Sequence, residues 1–148
     1  MKVLPLSSTL TRMHILDRRP VIALVDDDSI FRLIASRTIE SANITERILQ
    51  FTNGAEVLKY LEENFDQVEL LPDVLFLDIN MPHVDGWMFL DDFEKIREKM
   101  QKPISIFMVS SSIDPEDINR AKQHKLVKDY VVKPVSKETF AKLVGMAA

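Results

Sequence analysis

Four short apolar runs, each stopping on a polar residue, set the strongest limit on how this chain can fold. VIALV runs into Asp26 and Asp27, VLFL into Asp78, ISIFMV into Ser110, and YVV into Lys133, with Pro134 next. Continuous apolar runs of this length are the signature of parallel strands buried on both faces. Open α/β sheets bind their ligands where the carboxyl ends of such strands emerge. The pattern therefore brings three carboxylates, a hydroxyl and an ammonium to one crevice. Three acids facing one cation repel each other strongly in a partly dry site, and this calls for a divalent ion. The residues point to a magnesium site built around one reactive aspartate.

From residue 20 onward, apolar runs alternate with amphipathic segments, the pattern of repeated βα units, and five such pairs can be marked. Strands are expected at about 20–26, 46–51, 73–78, 104–109 and 127–133. The first helix should begin near Asp28-Ser29, either of which can cap it, with Ile30, Leu33, Ile34 and Ile39 on its apolar face. The second starts at Asn53 and should bury Val57, Leu58, Leu61 and Phe65. Residues 79–86, INMPHVDG, read as a turn. Trp87, Leu90, Phe93, Ile96 and Met100 then recur at helical spacing. Asp114-Pro115-Glu116-Asp117 supplies a capping acid, a first-turn proline and negative charge at the positive end of the helix dipole. The last helix should run from Ser136 with Phe140, Leu143 and Val144 inward.

Composition narrows the function. At 148 residues the chain suits one domain, and zero cysteines rule out disulfides, thiolate zinc sites and a cysteine nucleophile. A cytoplasmic setting is expected. A net charge of −4 without a block of basic residues gives no footprint for direct DNA binding. No window approaches the roughly 18 apolar residues needed to span a bilayer, so membrane insertion is not expected.

An aspartate carboxylate can attack an activated phosphoryl group and become an aspartyl phosphate, provided the site supplies positive charge and positioned donors. Asp26 and Asp27 suit Mg²⁺, an ion that takes oxygen ligands. Asp78 would add a third oxygen and act as nucleophile, and the backbone carbonyl of Asn80 can complete the metal's protein shell. Lys133 can neutralise a phosphoryl oxygen and Ser110 can donate to one. Three aspartates, one lysine and a divalent ion sum to zero charge. His14, His83 and His124 have no partner at ligand spacing.

The stretches VIALVDDDS, DVLFLDINMPHVDGWMFL, IFMVSSS and DYVVKPVS, in this order, resemble the receiver domain of two-component response regulators over about residues 20–146. The resemblance implies a three-layer, flavodoxin-like α/β fold with five helices around five parallel strands in the order 2-1-3-4-5. It implies a receiver domain at 20–148 behind an N-terminal extension at 1–19. It implies phosphoryl transfer from a histidine kinase or histidine phosphotransfer protein onto Asp78, with Mg²⁺ held by Asp27, Asp78 and the Asn80 carbonyl, and Asp26 acting mainly through a metal-bound water. Ser110 takes the place of the switch hydroxyl and Tyr130 that of the aromatic that moves inward. Three departures stand out: HKLVKDY lacks the usual glycine near the end of the fourth helix, Ser111 sits where alanine is frequent, and the loop before the third strand is long.

Twenty residues before the first strand and fifteen after Lys133 leave no room for a helix-turn-helix or catalytic output domain, so a stand-alone receiver is expected. Its output would be contact with a downstream protein through the fourth helix, fifth strand and fifth helix. Ile118, Tyr130 and Val135 would be the apolar anchors there, and Lys122, Lys125 and Lys137 a basic rim. It would be a phosphoacceptor that catalyses only its own modification, rather than an enzyme. Two alternatives compete: a pseudo-receiver that binds partners without phosphorylation, and an aspartate-based phosphohydrolase. A pseudo-receiver is expected to lose the aspartate, the acid pair or the lysine. The hydrolase needs an acid two residues after its nucleophile, where this chain has Asn80.

Overall fold

The computed structural model describes residues 19–147, so the first eighteen residues of the expected extension lie outside the described residues. Five parallel strands form one sheet in the order β2-β1-β3-β4-β5, as expected. They are β1 Val21–Val25, β2 Arg47–Phe51, β3 Val74–Leu77, β4 Ser105–Ser110 and β5 Val127–Val132. The helices between and after them are α1 Ser29–Ser41, α2 Gly54–Glu63, α3 Gly86–Ile96, α4 Pro115–Gln123 and α5 Lys137–Ala147. The long third helix expected to reach Met100 ends as α-helix at Ile96 and tightens into a 3-10 turn over Arg97–Lys99.

The three central strands β1, β3 and β4 are buried along their whole length, which explains why they read as unbroken apolar runs. The edge strands β2 and β5 have exposed positions and read more weakly. Successive side chains point to opposite faces and feed two cores. Ala23, Val25, Leu75, Leu77, Ile106 and Met108 pack with Val57, Leu61, Leu90 and Phe93 from α2 and α3. Ile22, Leu24, Phe76, Phe107 and Val109 pack with Ile39 of α1 and Phe140, Leu143 and Val144 of α5.

Helix α1 departs from the expectation. It buries Ala35, Ser36 and Ile39, while Ile30, Leu33 and Ile34 are 68%, 50% and 60% exposed. The side that faces the sheet carries the small Ala35 and Ser36 beside Ile39, and Gln50 Nε2 of β2 donates to Ser36 Oγ at 3.1 Å. The larger side chains at 30, 33 and 34, one helical face by spacing, are left outside. Phe65, also expected inside, is half-buried.

The long loop before β3 is ordered by its own contacts. Tyr60 Oη donates to Leu70 O at 2.7 Å, Gln67 N to Asn64 O at 3.0 Å, and Leu71 is fully buried. The turn after α4 is made without a glycine. His124 has extended backbone, φ −80 and ψ 124, and its Nδ1 accepts from Leu126 N at 3.1 Å, so the turn needs no left-handed residue.

Candidate functional site

Sheet order reverses direction between β1 and β3, and the crevice at such a switch point opens beyond the carboxyl ends of the strands. Register sets the rest. Val25 pairs with Leu77, which leaves Asp26 and Asp78 adjacent just past their strands. Asp26 N donates to Phe51 O and Asp78 N to Val25 O, both at 3.0 Å, so the two acids sit on sheet-like backbone. Ser110 pairs with Val132, and Lys133 N donates to Ser110 O at 2.9 Å. The Lys133-Pro134 peptide is cis.

Carboxylate oxygens of Asp26, Asp27 and Asp78 lie within 4.8 Å of one another. Asp26 and Asp78 are buried and Asp27 is exposed. Lys133 Nζ is 2.7 Å from Asp26 Oδ2 and 3.8 Å from Asp78 Oδ2. Asp28 belongs to the helix instead: its Oδ1 accepts from Ile30 N at 3.0 Å and Phe31 N at 3.1 Å. The remaining oxygen of the pair is also employed, since Asp26 Oδ1 accepts from Asp28 N at 2.9 Å.

Burial pushes the Asp78 carboxyl up to about 6 from 3.8, and the nearby Asp26 charge adds to the rise. Lys133 and the backbone amides of Ile79 and Asn80 oppose it. The Ile79 amide donates to Asp78 Oδ1 at 2.8 Å. The Asp78 carboxylate is thus kept in a site where its charge is poorly solvated, a state that added positive charge relieves. The donor set is all oxygen and its charge with Lys133 is −2, which fits a hard divalent ion such as Mg²⁺.

The loop from Ile79 to Asp85 is fixed by a close approach. Gly86 N donates to Ile79 O at 2.8 Å, and a Cβ at Gly86 would lie 2.5 Å from Asp78 O. His83 takes the left-handed conformation, φ 66, at the loop's tip. Asn80 is exposed in this loop.

Ser110 is completely buried at the end of β4, and its Oγ accepts from Ser112 N at 3.2 Å. Ser112 O in turn accepts from Tyr130 Oη at 2.7 Å. Tyr130 is buried, and Ile118 and Val135, the other two apolar anchors expected on this face, are half-buried. Three contacts near the site carry no local sequence signal. Arg32 Nη1 donates to Asp26 O at 2.5 Å, the Arg120 guanidinium lies 4.1 Å from the Trp87 ring centroid, and Lys133 Nζ lies 4.3 Å from that of Phe31.

A doubly wound parallel sheet with an acid cluster and a lysine at its switch point defines a flavodoxin-like α/β protein with a charged site at its strand ends. Within that class the response regulator receiver domain family matches residues 22–145, and the chain belongs to this family. A probable methanogenesis regulatory protein, FilR2, from Methanothrix harundinacea (strain 6Ac) is 28% identical over 84% of this chain and 78% of its own. The DNA-binding transcriptional regulator NtrC of Escherichia coli (strain K12) is 32% identical over 88% of this chain, a match that spans 25% of NtrC. Among solved structures, a two-component response regulator from Cytophaga hutchinsonii superposes with a TM-score of 0.80 at 28% identity, covering 88% of this chain and 98% of that one. Receiver domains of two-component systems are thus the family, and the acidic pocket is compatible with Mg²⁺. Among the described residues no helix is long and apolar enough to cross a membrane.

Proposed function

We propose that this chain acts as a phosphorylation switch. It accepts a phosphoryl group on Asp78 from a histidine kinase or histidine phosphotransfer protein and passes the signal on by changed contact with a downstream protein. The observation that carries the reading is the Asp78 carboxyl, grouped with Asp26 and Asp27 within 4.8 Å and with Lys133 Nζ at 3.8 Å.

An oxygen of the Asp78 carboxylate attacks phosphorus, the donor's P–N bond breaks, and its electron pair leaves with the imidazole nitrogen. Asp26, Asp27, Asp78 and the Asn80 carbonyl would hold Mg²⁺, which when bound offsets charge on the phosphoryl oxygens. Lys133 neutralises a further oxygen. Ser110 turns its hydroxyl toward the new group, and because Ser112 links Ser110 Oγ to Tyr130 Oη, that turn draws on the Tyr130 contact. A two-state shift requires that the new group meet the two states differently, and on this reading that difference is assigned to Ser110 and Lys133.

The exposed Ile30, Leu33 and Ile34 stand on α1 directly after the acid pair, which supports a protein donor docking over this mouth. Retention of Asp78, the acid pair and Lys133 argues against a pseudo-receiver, and Asn80 argues against a phosphohydrolase. Acetyl phosphate with Mg²⁺ should add one phosphoryl group by intact mass, and Asp78→Asn should remain unmodified. Equal labelling of that variant would overturn the assignment, and steady turnover of phosphate esters would restore the hydrolase.

A further inference from the structure

We propose that Phe31 is a positioning residue for Lys133, its ring covering one side of the ammonium and holding it against the Asp26 and Asp78 carboxylates where a phosphoryl oxygen must be met. The inference rests on the phosphoacceptor role of Asp78.

The geometry is a three-sided enclosure. Lys133 Nζ has Asp26 Oδ2 at 2.7 Å, Asp78 Oδ2 at 3.8 Å and the Phe31 ring centroid at 4.3 Å. The lysine side chain is only 16% exposed. A lysine ammonium is a hydrated point charge on a flexible four-carbon stem, with three donors that rotate freely. Two carboxylates attract it without fixing its direction. A ring face attracts the cation through its quadrupole, offers no hydrogen-bond acceptor in the plane of the competing oxygens, and keeps water from that side. The ammonium keeps its donors for oxygens.

Phe31 is held where this requires. Phe31 N donates to the Asp28 cap at 3.1 Å, and Asp28 N donates to Asp26 Oδ1 at 2.9 Å. One short segment therefore fixes the carboxylate that holds Lys133 and the ring that covers it. The plain alternative is core packing, because Phe31 is half-buried against the α1 and α5 side of the sheet. Leucine would satisfy packing but not a cation, and this separates the two roles.

In the wild type the Lys133 Cε protons should be shifted upfield by the ring current, unchanged in Phe31→Tyr and lost in Phe31→Leu. Phosphorylation of Asp78 by acetyl phosphate at saturating Mg²⁺ should slow by about three- to tenfold in Phe31→Leu and by less than about twofold in Phe31→Tyr. Urea midpoints of the two variants identify any effect of stability alone. In a Lys133→Ala background, Phe31→Leu should slow the reaction no further, since the ring acts through the ammonium. Phe31→Leu reacting at the wild-type rate, or slowing both backgrounds equally, overturns the role of Phe31 while leaving Asp78 as acceptor. Wild-type protein that takes up no phosphoryl group overturns both together.

Discussion

The Lys133 ammonium is held by Asp26 at 2.7 Å more closely than by Asp78 at 3.8 Å. The cation thus leans toward the acid that is not the proposed acceptor. Asp78 is left with a more distant counter-ion and a near like charge: the like charge follows from register, since Asp26 and Asp78 end paired strands, and the Lys133 side chain, leaving edge strand β5, approaches Asp26 more closely although β1 lies farther from β5 than β3 does.

Asp26→Asn should therefore lower the Asp78 pKa from about 6 toward 3.8, because it removes the Asp26 charge and leaves Lys133 to Asp78 alone. Carboxyl carbon NMR of metal-free protein follows this directly. An Asp78 titration midpoint unchanged by the substitution would mean that burial accounts for the whole rise.

The raised Asp78 pKa also sets a stability rule. Between 3.8 and about 6 the folded state binds more protons than the unfolded one, so this group's effect on stability worsens as pH rises through that window. Above it the carboxylate is a full penalty. Asp78→Asn should stabilise the metal-free protein by ~1–3 kcal/mol at pH 7.5, with the gain disappearing as the pH falls below about 4. Urea unfolding at the two pH values measures it, and a gain that persists at low pH would exclude ionisation as its source.

Asp27 and Asp28 should separate cleanly. Asp28 accepts two backbone amides at the start of α1, while Asp27 is exposed beside the buried acids. Asp28→Ala should cost ~1 kcal/mol of stability through the lost cap and leave magnesium affinity largely intact. Asp27→Ala should weaken magnesium binding at least about tenfold with little change in stability. Calorimetric titration and thermal melts test the pair, and equal loss of binding in both variants would contradict the ligand choice.

What the sequence revealed was whatever depends on strand ends. Asp26, Asp27, Asp78, Ser110 and Lys133 each stop an apolar run, and a buried parallel sheet converts that one-dimensional mark into a shared position in space. What it hid depends on helix phase and on contacts between distant segments. Ile30, Leu33 and Ile34 look like a buried face, but Ala35 and Ser36 are what the sheet admits. The ring of Phe31 over Lys133 joins residues a hundred positions apart with no local pattern to mark it. Tyr130 was legible only through the receiver resemblance, whereas its link through Ser112 to Ser110 needs the path of the loop after β4.

Gly86 should prove the most sensitive glycine because it sets the position of Asp78 from behind. A Cβ there would meet Asp78 O at 2.5 Å and Ile79 Cα at 3.0 Å, both backbone atoms that cannot rotate away. Gly86→Ala should therefore destabilise the fold by ~1–3 kcal/mol through overpacking, and slow phosphorylation of the molecules that remain folded by moving the acceptor strand end away from Asp26 and Lys133. Gly145 in α5 is the matched control, since a Cβ there meets nothing within 4 Å. Gly145→Ala should raise stability by ~0.5–1 kcal/mol without touching the reaction. Denaturant midpoints and acetyl phosphate labelling on both variants decide the point: a Gly86→Ala protein as stable and as reactive as wild type would show that this close contact does not govern the site.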